Sequence, residues 1–223
     1  RLLPTEADMK EHFKWLQEEY PDDDLTINLS MEHGSVSKNG KLIAIGSQDS
    51  SHLVFDETLS LIGEIGNRSD YPHCAIFSAK DDVIAFNSCH FYNGATVGVS
   101  VNLLPDLKTK PYEDDDRVAL LEDNARVYAG VGLGDEFIIG DAYGYVRAFS
   151  TTGEPRWQLY GGSSIGDIDV SDDGTMMAVS TCAGYISIFE LNSEQEPHQI
   201  GNSSHKEIRR WLFWKDEAVP LAW

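Results

Sequence analysis

With 223 residues, 41% of them hydrophobic, the chain can bury one sizeable domain and is not a disordered polymer. Its 37 acidic side chains against 17 basic ones leave a formal charge of −20, which repels phosphate backbones and anionic membrane surfaces alike. No nucleic-acid and no membrane partner is expected; a protein or peptide partner is, and a basic one suits the charge.

The pass along the chain opens with a helix over residues 4–20. Thr5 and Asp8 form a capping-box-like start, and Met9, Phe13, Leu16 and Tyr20 fall at helical spacing as one apolar stripe. That stripe is expected to lie on the edge of the chain's own domain. Pro21 and the run Asp22-Asp23-Asp24 end the helix, because proline cannot continue it. Residues 1–24 are thus a helix with an acidic linker, and residues 25–223 form the main domain.

From Leu25 the pattern turns to β. Leu25, Ile27 and Leu29 alternate with polar residues, as in a half-buried strand. A strand-turn-strand phrase then recurs. Gly40-Lys41-Leu42-Ile43-Ala44-Ile45-Gly46 is answered by Gly174-Thr175-Met176-Met177-Ala178-Val179-Ser180, and Phe137-Ile138-Ile139-Gly140 lies between them. Gly144 to Gly184 and Phe149 to Phe189 are each 40 apart, the period of a β-propeller blade. Four units follow: about 31–65, 72–123, 126–160 and 165–200. The second is the irregular one, with a longer inner turn (Cys89 to Gly94) and a polar stretch, Pro105 to Asp116, read as an exposed loop. A final hairpin, Trp211–Trp214 then Ala218–Leu221, closes the chain. The expected fold is all-β: a β-propeller of four-stranded blades, about four full blades plus a closing partial blade, with a short N-terminal helix. Leu25–Leu29 could complete the last blade, or the chain could be part of a larger ring; both readings stand at this point.

The stretch Asp167 to Leu191 resembles a WD-repeat propeller. Ser171-Asp172-Asp173-Gly174 matches the family's turn, and Phe189-Glu190, like Phe55-Asp56, stands where Trp-Asp would be. The Gly-His pair that opens a family repeat is missing. Ala148, Gly153 and Trp157 also reproduce the blade spacing of quinoprotein-type propellers, as general propeller grammar without implying a quinone. The resemblance implies a protein-binding platform, and no cofactor is expected.

Chemical motifs reduce to blade positions. Gly162-Ser163-Ser164-Ile165-Gly166 has the nucleophile-elbow spacing, but a strand follows where that elbow needs a helix. Gly130-Val131-Gly132-Leu133-Gly134 likewise lacks the helix whose N-terminus would hold phosphate. Cys74, Cys89-His90 and Cys182 have no paired metal-ligand spacing, and Asp167, Asp169 and Asp173 do not fit a calcium loop. Three cysteines are too few for a disulfide framework, so a reducing, cytoplasmic compartment is expected.

What remains is a set of aromatic turn residues. Phe91, Tyr92 and Asn93 occupy the inner turn of the second unit and Tyr143 that of the third; Tyr71 and His205 are expected on the same face. Exposed tyrosines among acidic groups make good binding anchors. The leading reading is a non-catalytic platform binding a protein or peptide there. The alternatives are an acidic inhibitor of a basic nuclease or toxin, using Glu113, Asp114, Asp115 and Asp116, and a propeller hydrolase or oxidoreductase.

Overall fold

In the computed structural model, residues 6–22, 32–47, 51–191 and 205–213 are described. They form one α-helix, α1 (Glu6–Glu19), a turn of 3-10 helix (Val101–Leu103) and seventeen strands. The strands fall into four sheets in chain order. The first holds β1 (His33–Val36), β2 (Leu42–Gly46), β3 (His52–Asp56) and β4 (Leu61–Ile65). The second holds β5 (Tyr71–Phe77), β6 (Val83–His90), β7 (Asn93–Ser100) and β9 (Val118–Asp123). The third holds β10 (Val127–Leu133), β11 (Glu136–Asp141), β12 (Tyr145–Ser150) and β13 (Pro155–Tyr160). The fourth holds β14 (Ile165–Val170), β15 (Met176–Thr181), β16 (Tyr185–Glu190) and β17 (Lys206–Leu212). Every one of these neighbours pairs antiparallel, so each sheet is an up-down meander.

The repeated phrase is explained by local turn chemistry. Ser37, Ser78 and Ser171 each sit at the turn between the first and second strands. Each hydroxyl accepts the backbone N–H five residues on, at Leu42 (2.9 Å), Val83 (3.1 Å) and Met176 (3.0 Å). A short polar side chain thus replaces a missing backbone partner and fixes the turn. The aromatics that close the phrase, Phe55, Phe149 and Phe189, are all buried.

Three apolar cores lie between successive sheets. Val54, Ile65, Phe77 and Phe86 belong to the one between the first and second. Ile76, Leu121, Phe137 and Phe149 join the second to the third, and Ile138, Leu159, Ile165 and Met177 join the third to the fourth. The first strands carry this stacking: β1 packs on β5, β5 on β10, and β10 on β14. No matching core joins the fourth sheet to the first, and no closed barrel or ring forms, among the described residues.

Two expectations change. The fourth strand of the fourth sheet is β17, which contains Trp211; that segment is not the start of a separate closing hairpin. The polar stretch after β7 is not wholly a loop. Within it β8 (Leu107–Lys108) pairs parallel with β4, making the first sheet five-stranded, and Leu104 and Leu107 are buried in the first core. The stretch is therefore a strap from the second sheet back to the first. Along α1, Phe13 and Leu16 of the apolar stripe are half-buried and Trp15 is about half exposed, as is Tyr20 just past the end of the helix. The expected strand Leu25–Leu29, the cap at Thr5 and Ala218–Leu221 lie outside the described residues. Among the described residues no helix is long and apolar enough to cross a membrane.

Candidate partner-binding face

A meander puts two kinds of connection at the same end of every sheet: the turn between its second and third strands, and the crossover to the next sheet. Hydrogen bonds lace these connections into one relay. The Arg126 N–H donates to the Tyr92 carbonyl (2.9 Å) and the Ala142 N–H to the Arg126 carbonyl (2.9 Å). The Ser164 hydroxyl donates to the Ala142 carbonyl (2.6 Å), and the Cys182 N–H to the Ser164 carbonyl (2.8 Å). On the other flank, the Arg68 and Ser69 N–H groups both donate to the Ser88 hydroxyl (3.0 and 2.8 Å). The turns thus stand on a rigid footing that spans all four sheets. Gly94 permits a close approach, since a Cβ there would lie 2.6 Å from the carbonyl oxygens of both Ala125 and Ser88.

The second sheet reaches furthest. Asp82, Asp135 and Thr175 are equivalent, because each carbonyl accepts the N–H that follows the third strand of its sheet. Counting from them, β11 ends at Asp141 and β15 at Thr181, six residues on, whereas β6 runs eight, to His90. His90 pairs with Asn93 across a two-residue turn, Phe91-Tyr92. The expected longer turn is therefore two extra residues of strand on each side with a tight tip. Phe91 takes φ +51°, in the left-handed region that such tips require and that a phenylalanine rarely adopts.

Around the tip, side chains form a continuous aromatic and acidic patch. Phe91 is 75% exposed, Tyr92 56% and Tyr143 45%, which marks them as surface anchors and not core. The Tyr92 and Tyr143 rings are 5.9 Å apart, and the Tyr143 hydroxyl donates to Asn93 Oδ1 (2.5 Å). His90 packs edge-on to Phe91 (4.4 Å) and stacks on Tyr71 (6.0 Å). The Asp70 carboxylate binds His90 Nδ1 through one oxygen and accepts the Tyr112 hydroxyl (3.2 Å) through the other. Asp70 therefore ties the strap to the tip. Behind them Arg126 donates to the Phe91 carbonyl (3.2 Å) and to His73 Nε2 (3.1 Å). A guanidinium only donates, so His73 must be the neutral tautomer whose Nδ1–H donates to the Val127 carbonyl (2.6 Å). Burial, with Arg126 adding to it, holds the His73 ring below its ordinary pKa, against that carbonyl bond.

The chain matches no family model, and no curated protein is significantly similar to it. Its sites must be read from their own geometry.

Of the residues singled out in the sequence, Tyr71, Tyr92, Asn93 and Tyr143 come together at one end of the sheets. His205 does not. It precedes Lys206, which pairs with Glu190 at the far end of β16, whereas the turn end of that strand is Tyr185, opposite Leu212. His205 is buried there, edge-on to Trp157 at 4.4 Å. The error came from assigning the last strand to a separate hairpin, which reverses the end at which its first residue lies.

The acidic run lines a cleft of about 430 Å³ with Arg68, Thr109 and Leu120, but much of its charge is matched internally. Asp114 pairs with Arg68 (2.7 Å) and Glu113 with Lys110 (3.4 Å). Asp115 takes Arg117 bidentately (2.8 and 2.7 Å), and those hydrogen bonds hold its carboxyl at about 2. Asp116 alone of the four lacks a cation in reach among the described residues.

Neither motif-like run of the sequence finds the setting its chemistry needs. Ser164 spends its hydroxyl on the Ala142 carbonyl and leads into β14, not a helix; the glycine-rich run lies in β10. Among the described residues no three His, Cys, Asp or Glu side chains converge as metal ligands. The residues that sequence reasoning missed are Asp70, His90, Tyr112 and Arg126. Only His90 carried a signal, by flanking the aromatic pair.

Proposed function

We propose that the chain is a non-catalytic interaction platform, a WD-repeat-like β-propeller whose blades are the four stacked sheets, binding a protein or peptide on the turn face. Support for the propeller reading comes from four successive meanders stacked through their first strands and from the 40-residue spacing of their shared positions. The observation that carries the binding reading is the aromatic row Phe91, Tyr92 and Tyr143, exposed yet mounted on the relay. Rigid aromatics bring large contact area at low entropic cost, and Asp70 beside them supplies an acceptor for a polar or basic group. The acidic run contributes less to this reading, because three of its carboxylates already pair within the chain.

The test is affinity capture with quantitative mass spectrometry, comparing the parent chain with Tyr92→Ala and Tyr143→Ala. Each anchor should be worth about 2 kcal/mol, roughly a thirtyfold loss of partner affinity. Unchanged partner recovery from both variants refutes the assignment of this face.

A further inference from the structure

The Arg126 guanidinium holds the Phe91-Tyr92 tip from beneath, and few contacts hold the guanidinium itself. Nη1 donates to the Phe91 carbonyl (3.2 Å) and Nη2 to His73 Nε2 (3.1 Å), while Nε is buried without an acceptor. The Tyr128 ring lies 4.8 Å from the guanidinium carbon and meets His73 edge-on at 5.4 Å. The imidazole is thus the acceptor that aims Arg126 at the tip. Only the neutral ring can fill that role. Its Nδ1–H is committed to the Val127 carbonyl (2.6 Å), so a further proton has one place to go, Nε2. There it meets an N–H of Arg126 at 3.1 Å, donor against donor and charge against charge.

We propose that His73 is a proton-operated latch on the turn face: acid protonates Nε2, displaces the Arg126 guanidinium and frees the Phe91-Tyr92 tip. Arginine cannot yield its own proton, so it is the guanidinium that moves. Arg126 is only partly buried, and water receives the displaced group. The groups around His73 leave its new charge uncompensated. Among the described residues no carboxylate lies within ion-pairing distance of the ring. His33 on β1 and His52 on β3 are neutral neighbours that burial holds at about 4 and well below the ordinary value, and once charged they add repulsion. Cys89 on β6, within reach of the Arg126 charge, is a thiol that burial keeps protonated. Tyr128 offers only its ring. On the far side of the tip Asp70 holds His90, and a proton there tightens that pair, so the release is confined to the Arg126 side. Falling pH favours release, because burial and the Arg126 charge keep the latched ring below the ordinary 6.5, against the Val127 bond, and a released ring returns toward it.

As a regulator of partner binding the latch rests on the platform reading; as a movement of the tip it does not. The test is an NMR titration of the full, isotope-labelled chain from pH 7.5 to 4.5, a range in which His33 stays neutral. At pH 7.5 the His73 ring nitrogens should report the Nδ1–H tautomer. As pH falls, the Phe91 and Tyr92 amides should shift with the same midpoint as the His73 ring, below 6.5. Their order parameters should drop from about 0.85 to below about 0.6, while those of Ile138 and Met177 in the cores stay constant. His73→Gln places an amide oxygen within reach of Arg126 that takes no proton, so its tip should stay ordered throughout. The opposite tautomer, a tip still rigid at pH 4.5, or loosening of His73→Gln at the parent's midpoint would overturn the proposal. The parent titration needs no variant, so a poorly folding Gln substitution leaves a decisive measurement. A partner captured through Tyr92 and Tyr143 should bind the parent at least tenfold more weakly below the His73 midpoint, and His73→Gln equally at both ends. A Tyr92-dependent partner on a tip that stays rigid sinks the latch alone; a tip that loosens on cue without such a partner sinks the platform reading alone.

Discussion

Asn87 offers the sharpest test of how the turn face is held. It sits on β6 at 1% exposure and uses its whole amide. Its Nδ2 donates to Thr96 Oγ1 (3.0 Å) and to the Ala125 carbonyl (2.9 Å), and its Oδ1 accepts the Val127 N–H (3.0 Å). The side chain therefore welds the second sheet to the crossover that carries Arg126. Asn87→Ala strands two backbone groups at Ala125 and Val127, both fully buried, at about 1–3 kcal/mol each. The Thr96 hydroxyl can turn to another acceptor and adds little. The expected loss is about 3–5 kcal/mol, at the lower end if water enters the space, and on the order of 10 °C in Tm for a chain of this size. Urea unfolding followed by tryptophan fluorescence measures it, with the midpoint read at constant slope. Amide exchange should also quicken at Arg126, whose N–H donates to the Tyr92 carbonyl. A loss under 1 kcal/mol with unchanged exchange at Arg126 refutes the claim that this amide joins the sheets.

Two further predictions concern the same scaffold. Gly94→Ala should destabilise by about 1–3 kcal/mol and displace the Phe91-Tyr92 tip, because the new Cβ meets two carbonyl oxygens at 2.6 Å; an unchanged melting curve counts against that close approach. His33 and His52 share a ring-nitrogen contact of 3.1 Å, and burial holds His33 at about 4 and His52 well below its ordinary value. Their unfolded forms take up protons first, so the stability they contribute is complete above pH ~6.5 and is lost as pH falls toward 4, by about 3 kcal/mol for His33. Glu122, raised toward 7, acts in the opposite sense over the same range, so the urea midpoint should be followed in the Glu122→Gln background. A midpoint flat from pH 7 to pH 4 there would sink the assignment of neutral, buried rings.

What the sequence disclosed and what it withheld divide along a physical line. Turn chemistry is local, so the repeated glycine-led phrase and its closing aromatics Phe55, Phe149 and Phe189 placed the sheets within a few residues, at the turns that Ser37, Ser78 and Ser171 brace. The parallel strand β8 left no such trace. It is two residues long and is positioned by the burial of Leu104 and Leu107 against a sheet some forty residues earlier in the chain. The membership of β17 was hidden because residues 192–204 separate it from β16, and with it went the orientation of His205. The turn at Phe91-Tyr92 was located, but its tightness was hidden for another reason. It carries none of the Asn-Gly chemistry that announces a two-residue turn, and Phe91 fills a left-handed position that local preference assigns to glycine or asparagine.

That mismatch bears on function. A phenylalanine at φ +51° costs about 1–2 kcal/mol relative to a relaxed backbone, and a ring 75% exposed to water recovers none of it by burial in the chain's own core. The tip is held instead by the Arg126 guanidinium on the Phe91 carbonyl and by the edge of His90 on the Phe91 ring, with Asp70 fixing His90 from behind. Three side chains from three elements are thus spent on keeping a strained, apolar residue in solvent. The two extra residues of β6 lift it about 7 Å beyond the level of the neighbouring turns, at 3.3–3.4 Å per residue. Strain kept at an exposed site by several independent contacts is what a preorganised binding surface requires, since the ordering cost is met before the partner arrives. Phe91→Gly separates this argument from mere packing. It relieves the strain and keeps the turn, so stability should hold or rise slightly while partner affinity falls tenfold or more. A variant that loses stability and binding in parallel would show that Phe91 serves the fold alone.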